Sequence, residues 1–264
     1  MGMTQGDLHD LRDAKALLES PSLADKLMNV VGTPIEKGFA LLPRKWREVV
    51  QKATVKALNA ALDVALTTLD AGSQRRKPAN LLHMLSVGFT GGVGGFFGLE
   101  ALALELPITT TIMLRSVADI ARSEGEDLAC AETRMACIEV FAYGGKSRLD
   151  DAAETGYFVV RTALANAVTD AAAFVAERSV AEEGAPVLVR LITQIAARFE
   201  LVVSEKAAAT AIPVIGAAGG ALINTIFMDH FQDVARGHFL VRRLERSYGR
   251  EPVRAEYERL HSDG

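Results

Sequence analysis

Pro78-Ala-Asn-Leu-Leu-His-Met-Leu-Ser-Val-Gly-Phe-Thr-Gly-Gly-Val-Gly-Gly-Phe-Phe-Gly-Leu99 holds no Asp, Glu, Lys or Arg over 22 residues, and five of its glycines fall between Gly88 and Gly95. A second run, Ala207 to Met228, is equally uncharged over 22 residues and carries Gly216-Ala-Ala-Gly-Gly220. As one unbroken helix such a run reaches about 30 Å, the thickness of a bilayer's hydrocarbon. Two of them fit either a closely packed buried helix pair or a pair that meets lipid. Gly91, Gly94 and Gly98 recur at three and four residues, so on a helix they share a face that lets a second backbone come close. Each interior glycine costs about 1 kcal/mol of helix propensity relative to Ala, so the run also suits a break between helices. The internal Gly and Pro and the moderate mean hydropathy favour burial or reversible insertion over permanent spanning.

The polar residues that border these runs are the next clue. Arg75-Arg-Lys77 stands before the first run, a pattern found at membrane surfaces and equally in solvated turns. Glu100 and Glu105 are the only acids between Pro78 and Leu114. A carboxylate in so apolar a setting needs a partner or shifts toward its neutral form, and Arg115 is the expected partner. Pro107, which lacks a backbone donor, is expected to kink the helix there. Glu105, Thr109, Thr110, Thr111 and Arg115 would then form a buried polar network or touch a head group. The ligand-binding candidates are Gly91, Gly94, Gly98, Glu105, Thr109 and Arg115 from the first region, with Gly216, Gly220 and Asn224 from the second.

Elsewhere the chain reads as helix after helix. Leu8, Leu11, Leu17 and Leu18 give one apolar side to a helix over 7–19, and Ser20-Pro-Ser22 stops it and caps the next, 23–31. Gly32-Thr-Pro34 and Pro43 bound a third. Residues 44–69 form a long helix with one broad apolar stripe. Further helices follow over 127–143, 149–182 (one or two), 187–211 and 215–248, and Gly249 separates a charged terminal helix. No stretch alternates with period two between hairpin turns. The expectation is all-α: a single-domain bundle of roughly nine helices around two central Gly-rich apolar helices. It divides into N-terminal amphipathic helices at 1–43, a core at 44–250 and a charged tail at 251–264.

Composition narrows the function classes. At 264 residues, 49% hydrophobic and 23% charged, the chain can bury a large core. A net charge of -4 gives no global basic field, so nucleic acid is not an expected partner. Cys130 and Cys137, seven residues apart, would sit about 10 Å apart on one helix, too far for a disulfide; two buried thiols in a reducing compartment are expected. The polar start, Met-Gly-Met-Thr-Gln-Gly-Asp7, lacks the apolar core of a secretory signal, and a cytoplasmic location is expected.

The ordered combination of Gly91-Gly-Val-Gly-Gly-Phe-Phe-Gly-Leu99, Leu104 through Arg122, Tyr157-Phe-Val-Val-Arg161, Pro213 through Asn224 and Asp229 through Phe239 resembles the EcsC family of bacterial proteins over about residues 40–250. The resemblance implies an association with bacterial envelope and transport functions, and it brings no biochemical activity and no catalytic residues. The Pro213-to-Asn224 section is also similar to apolar helices of amphitropic proteins, which move between cytosol and membrane.

One cluster could carry chemistry. Asp229, His230, Asp233 and His238 follow the second run, and imidazole with carboxylate suits zinc or a similar divalent ion, with a further ligand drawn from Glu100, Glu105 or Glu139. A metal-dependent hydrolase is therefore one alternative, against polar residues that simply bond neighbouring helices. No Gly-x-Ser-x-Gly elbow or phosphate-binding loop occurs. Arg236, Arg242, Arg243, Arg246, Arg250 and Arg254 read as a solvated face or a surface for anionic lipid. The leading expectation is a membrane-associated, amphitropic protein, peripheral to the inner membrane from the cytoplasmic side. Its partner would be membrane lipid or another apolar ligand, with a membrane transporter as the protein it serves. A soluble structural or interaction scaffold is the other alternative.

Overall fold

A computed structural model describes residues 2–32, 34–69, 98–145, 156–177, 185–212 and 216–260, without the side chains of 31, 98–101 and 216–219. The first uncharged run up to residue 97, with Gly91 and Gly94, lies outside the described residues. Among the described residues there are ten helices and no strand, in one bundle. They are α1 (Gln5–Leu18), α2 (Leu23–Val31), α3 (Ile35–Leu41), α4 (Trp46–Thr67), α5 (Gly98–Ser123), α6 (Ala131–Tyr143), α7 (Gly156–Glu177), α8 (Pro186–Thr210), α9 (Gly216–Tyr248) and α10 (Arg250–Arg259). Ser22 and Asp25 close a capping box at the start of α2, which satisfies two of the free amides of that helix end. α5 continues through Pro107.

The centre belongs to α6. Every side chain from Thr133 to Tyr143 is buried, because α4, α5, α7, α8 and α9 all pack on it. A helix enclosed on all sides needs no polar stripe. Phe141 anchors it, 5.2 Å from the ring of Phe199 on α8 and 5.5 Å from Phe231 on α9. Of the expected pair of central Gly-rich helices, the first lies outside the described residues up to residue 97, and the second follows the expected break between 211 and 215. The second uncharged run is divided between two helices: Ala207, Ala208 and Ala209 are buried in the last turn of α8, and α9 begins afresh at Gly216. In α9 Ile223 and Phe227 point inward while Leu222 is 44% exposed. Among the described residues the middle belongs to a helix that carries Arg134 and Glu139.

Close backbone approach does occur, at other glycines. A Cβ on Gly38 of α3 would stand 2.1 Å from the Ala208 carbonyl oxygen of α8. A Cβ on Gly237 of α9 would meet Leu18 Cγ at 2.7 Å and the Ala14 carbonyl oxygen at 2.9 Å, both on α1. Gly220, one of the expected ligand-binding residues, has nothing within 4 Å of that position.

The first and last helices meet. Lys15 of α1 donates from Nζ to the carbonyl oxygens of Tyr257 and Leu260, and its ammonium lies 5.1 Å from the centre of the Tyr257 ring. A cation at carbonyls left open by a helix C-terminus is favourable on hydrogen-bonding and dipole grounds. The expectation of two buried thiols holds for one: Cys137 is buried, and burial pushes its thiol up to about 12. Cys130 is exposed at the N-cap of α6.

Two alanine substitutions should move stability in opposite directions. Gly220→Ala, in open space within a helix, should raise it by up to about 1 kcal/mol through helix propensity. Gly38→Ala must force α3 off the α8 backbone and should cost about 2 kcal/mol or more. Urea denaturation of both variants measures the difference.

Candidate functional site

The residues that border the two uncharged runs come together at one pole of the bundle. Glu105, near the start of α5, accepts a hydrogen bond from Lys206 Nζ at 2.8 Å. Lys206 is the last charge before the second run and is only 2% exposed. Its ammonium also lies 4.7 Å from the centre of the Phe227 ring on α9. Burial lowers the Lys206 pKa, and the Glu105 carboxylate opposes that shift. α3 joins the pole through Gly38 on Ala208. On the helices that meet there, three large side chains are exposed: Leu41 of α3 at 55%, Leu104 of α5 at 71% and Leu222 of α9 at 44%.

The partner expected for Glu105 is corrected: Arg115 is exposed on α5, and Lys206 takes the role. Arg115 is nearly three turns from Glu105 along α5, whereas α8 brings Lys206 directly alongside. The polar network beside Pro107 is also absent in the expected form. Thr109 and Thr110 are buried, and their hydroxyls meet no partner among the described residues. Asn224 is half-buried on α9, and Gly98 and Gly216 begin α5 and α9. The signal that could have found Lys206 is its position: it is the last charge of α8 before the second run, as Glu105 is one of the two acids in the first turns of α5.

Next to α2, Glu205 occupies the α8 position before Lys206. It accepts the Ala24 amide, and Asp25 is the charge that acts on it. Burial pushes its pKa up to about 7.

The residues proposed as metal ligands do not converge. His230 donates from Nε2 to the Gly144 carbonyl at 2.8 Å. His238 Nδ1 lies 2.9 Å from the Tyr157 hydroxyl. Asp233 holds Lys26 at 3.2 Å and Arg236 at 3.0 Å, and Asp229 faces solvent. Eight residues of helix separate the two imidazoles by about 12 Å, and each ring points to a different neighbouring helix end. Among the described residues no group of three or more His, Cys, Asp or Glu could hold a metal ion. The divalent-metal assignment is thereby corrected, and the hydrolase reading loses its centre.

His238 belongs instead to a buried polar cluster between α6, α7 and α9. The Tyr143 ring lies 5.0 Å from both Tyr157 and His238. Arg161, one turn beyond Tyr157, forms two 2.7 Å bonds to the two oxygens of Glu245. Burial, helped by the charges of Arg161 and Arg242, drives the His238 pKa well below its ordinary value, so the imidazole is neutral. Burial raises Glu139, against the hydrogen bond of Tyr143. Below this cluster, burial pushes Glu126 up, but the hydrogen bond and charge of Arg242 outweigh it and its pKa ends low. Arg246 also bonds Glu126, and Arg243 bonds Asp10 of α1. The expected arginine face is therefore partly an internal clamp: Arg242, Arg243 and Arg246 turn to carboxylates of the fold.

The EcsC protein family matches residues 5–244 of the chain. No curated protein and no solved structure matches it.

The pole and the α2 contact give two expected outcomes. Glu105→Ala strands the buried Lys206 ammonium and should cost about 3 kcal/mol in a denaturant melt; Lys206→Met leaves Glu105 able to reach water and should stay within about 1 kcal/mol of the parent. For Glu205, the folded pKa of about 7 lies above the ordinary value of 4.5. Its stabilising contribution is thus complete below that ordinary value and is lost as pH rises through about 7. Glu205→Gln should leave stability unchanged in acid and raise it by about 1–2 kcal/mol in mild alkali, read from melts across that range.

Proposed function

The chain belongs to the EcsC family, and on that premise we propose that it is an amphitropic protein that binds lipid or another apolar ligand through the pole around Glu105 and Lys206. On this reading it works at the cytoplasmic side of the inner membrane, in support of an envelope transport system. The observation that carries the proposal is convergence. Glu105, six residues after the first run in sequence, pairs with Lys206, the residue before the second, and Leu41, Leu104 and Leu222 are exposed on the three helices α3, α5 and α9. An exposed leucine alone is ordinary; three of them, on helices that enter or adjoin this pair's elements, support an apolar contact.

Reversible association fits better than a fixed span. Among the described residues one helix, α7, is long and apolar enough to cross a membrane, with a mean hydropathy of 1.3 over its most apolar window. Its Tyr157, Phe158, Leu164 and Val168 are buried in the bundle, and Tyr157 and Arg161 tie it to α9.

Flotation of the purified protein with liposomes, paired with native mass spectrometry of co-purified amphiphiles, tests the proposal. The parent should float, and Leu41→Glu/Leu104→Glu/Leu222→Glu should float at least about tenfold less while melting normally, because each leucine contributes about 1–2 kcal/mol of transfer energy. A parent that neither floats nor carries an amphiphile would sink it.

A further inference from the structure

We infer that the outer face of α4, together with the α3–α4 corner, is a docking surface for the anionic head groups of a phospholipid membrane. This deepens the membrane reading above and rests on it, by naming the lipid class and the face that meets it. Residues 35–56 hold Lys37, Arg44, Lys45, Arg47, Lys52 and Lys56 against Glu36 and Glu48, a local charge of +4 in a chain whose net charge is -4. All eight of these residues are exposed. Helical spacing puts Lys45, Lys52 and Lys56 on one stripe of α4, interrupted by Glu48. Opposite that stripe Val50, Ala53, Ala57, Leu58 and Ala61 are buried, so the helix presents its cations outward by construction.

A solvated helix commonly pairs such cations with acids one turn away. Here Lys37, Arg44, Lys45, Lys52 and Lys56 enter no ion pair among the described residues, in contrast to the arginines of α9. The charge is left for something outside the chain. The side chains between the cations favour a lipid interface over a purely polar polyanion. The Trp46 ring packs at a tilt on Phe39, 5.5 Å between centres, and lies under Arg47, 5.5 Å away; Leu41 is 55% exposed and Val55 38% exposed. Half-exposed Trp beside Lys and Arg is the composition of a membrane–water boundary. The corner also adjoins the apolar pole, since α3 rests on Ala208 through Gly38. A membrane that meets Leu41 therefore meets Lys37, Arg44 and Lys45 as well.

Flotation of the full chain compares vesicles of phosphatidylcholine alone with vesicles containing about one-third phosphatidylglycerol, at low and high salt. The parent should bind the anionic vesicles more tightly and lose that preference at high salt. Lys45→Gln/Lys52→Gln/Lys56→Gln should bind them about 100-fold more weakly, at roughly fivefold per surface cation, and keep the parent's affinity for phosphatidylcholine. Circular dichroism confirms that the variant is folded, and Lys52→Gln/Lys56→Gln, with an intact corner, should lie between the two. Equal binding to both vesicle types, or a triple variant indistinguishable from the folded parent, overturns this inference and leaves the apolar pole standing. A parent that floats with neither vesicle overturns both. Tight, salt-sensitive binding to a DNA duplex or to polyglutamate-free acidic protein with no vesicle preference overturns it in favour of another polyanion.

Discussion

A charge placed inside this bundle has to bring its counter-charge with it. Around the enclosed α6 the charged groups are matched in pairs, Glu126 by Arg242 and Arg246, and Glu245 by Arg161, while Glu139 within it is driven toward its neutral form by burial. Taking an unpaired ion out of water costs several kcal/mol, and a partner with good geometry recovers most of it. The pairs add little net stability. They set register, since each joins residues far apart in sequence, and a helix shifted by one turn would strand both members.

α9 supplies much of that register. Successive turns of this one helix reach α8 through Phe227, the end of α6 through His230, α2 through Asp233, α1 through Gly237, α7 through His238 and Glu245, and the turn before α6 through Arg242 and Arg246. The apolar pole lies at its beginning and the ionic clamp at its end. Among the described residues the beginning of α9 is held by packing and the Lys206–Glu105 pair, while its end is held by a lattice of charges. That asymmetry suits a molecule that offers its softer end to an apolar phase.

Much of the architecture was legible because helix punctuation is local. Ser22, Gly32, Pro34, Pro43 and Gly249 mark the ends of elements within a residue or two, and the stripe on residues 44–69 is long enough to leave no ambiguity. The EcsC resemblance was legible from ordered motifs spread over most of the chain. What stayed hidden depends on pairing across space. Arg115 looked like the partner of Glu105 because it is near in sequence, and Lys206 lies 101 positions away. The cluster from Asp229 to His238 looked like a metal centre because it is dense in ligand types, but a helix radiates neighbours in all directions and sends those four side chains to different places. The central helix was hidden for a related reason: Arg134 and Glu139 lend α6 a polar look in one dimension that vanishes once its neighbours close around it.

Lys15 reaches from α1 to the carbonyl end of α10, and α1 in turn lies against α9 at Gly237. The opening and closing helices are thereby stapled into a single cooperative patch. Peeling away the last turn would not merely fray an edge; it would uncap carbonyls, free an ammonium and loosen the opposite extremity of the polypeptide at the same moment. A disturbance at α10 is thus felt at once in α1, and through α1 in α9.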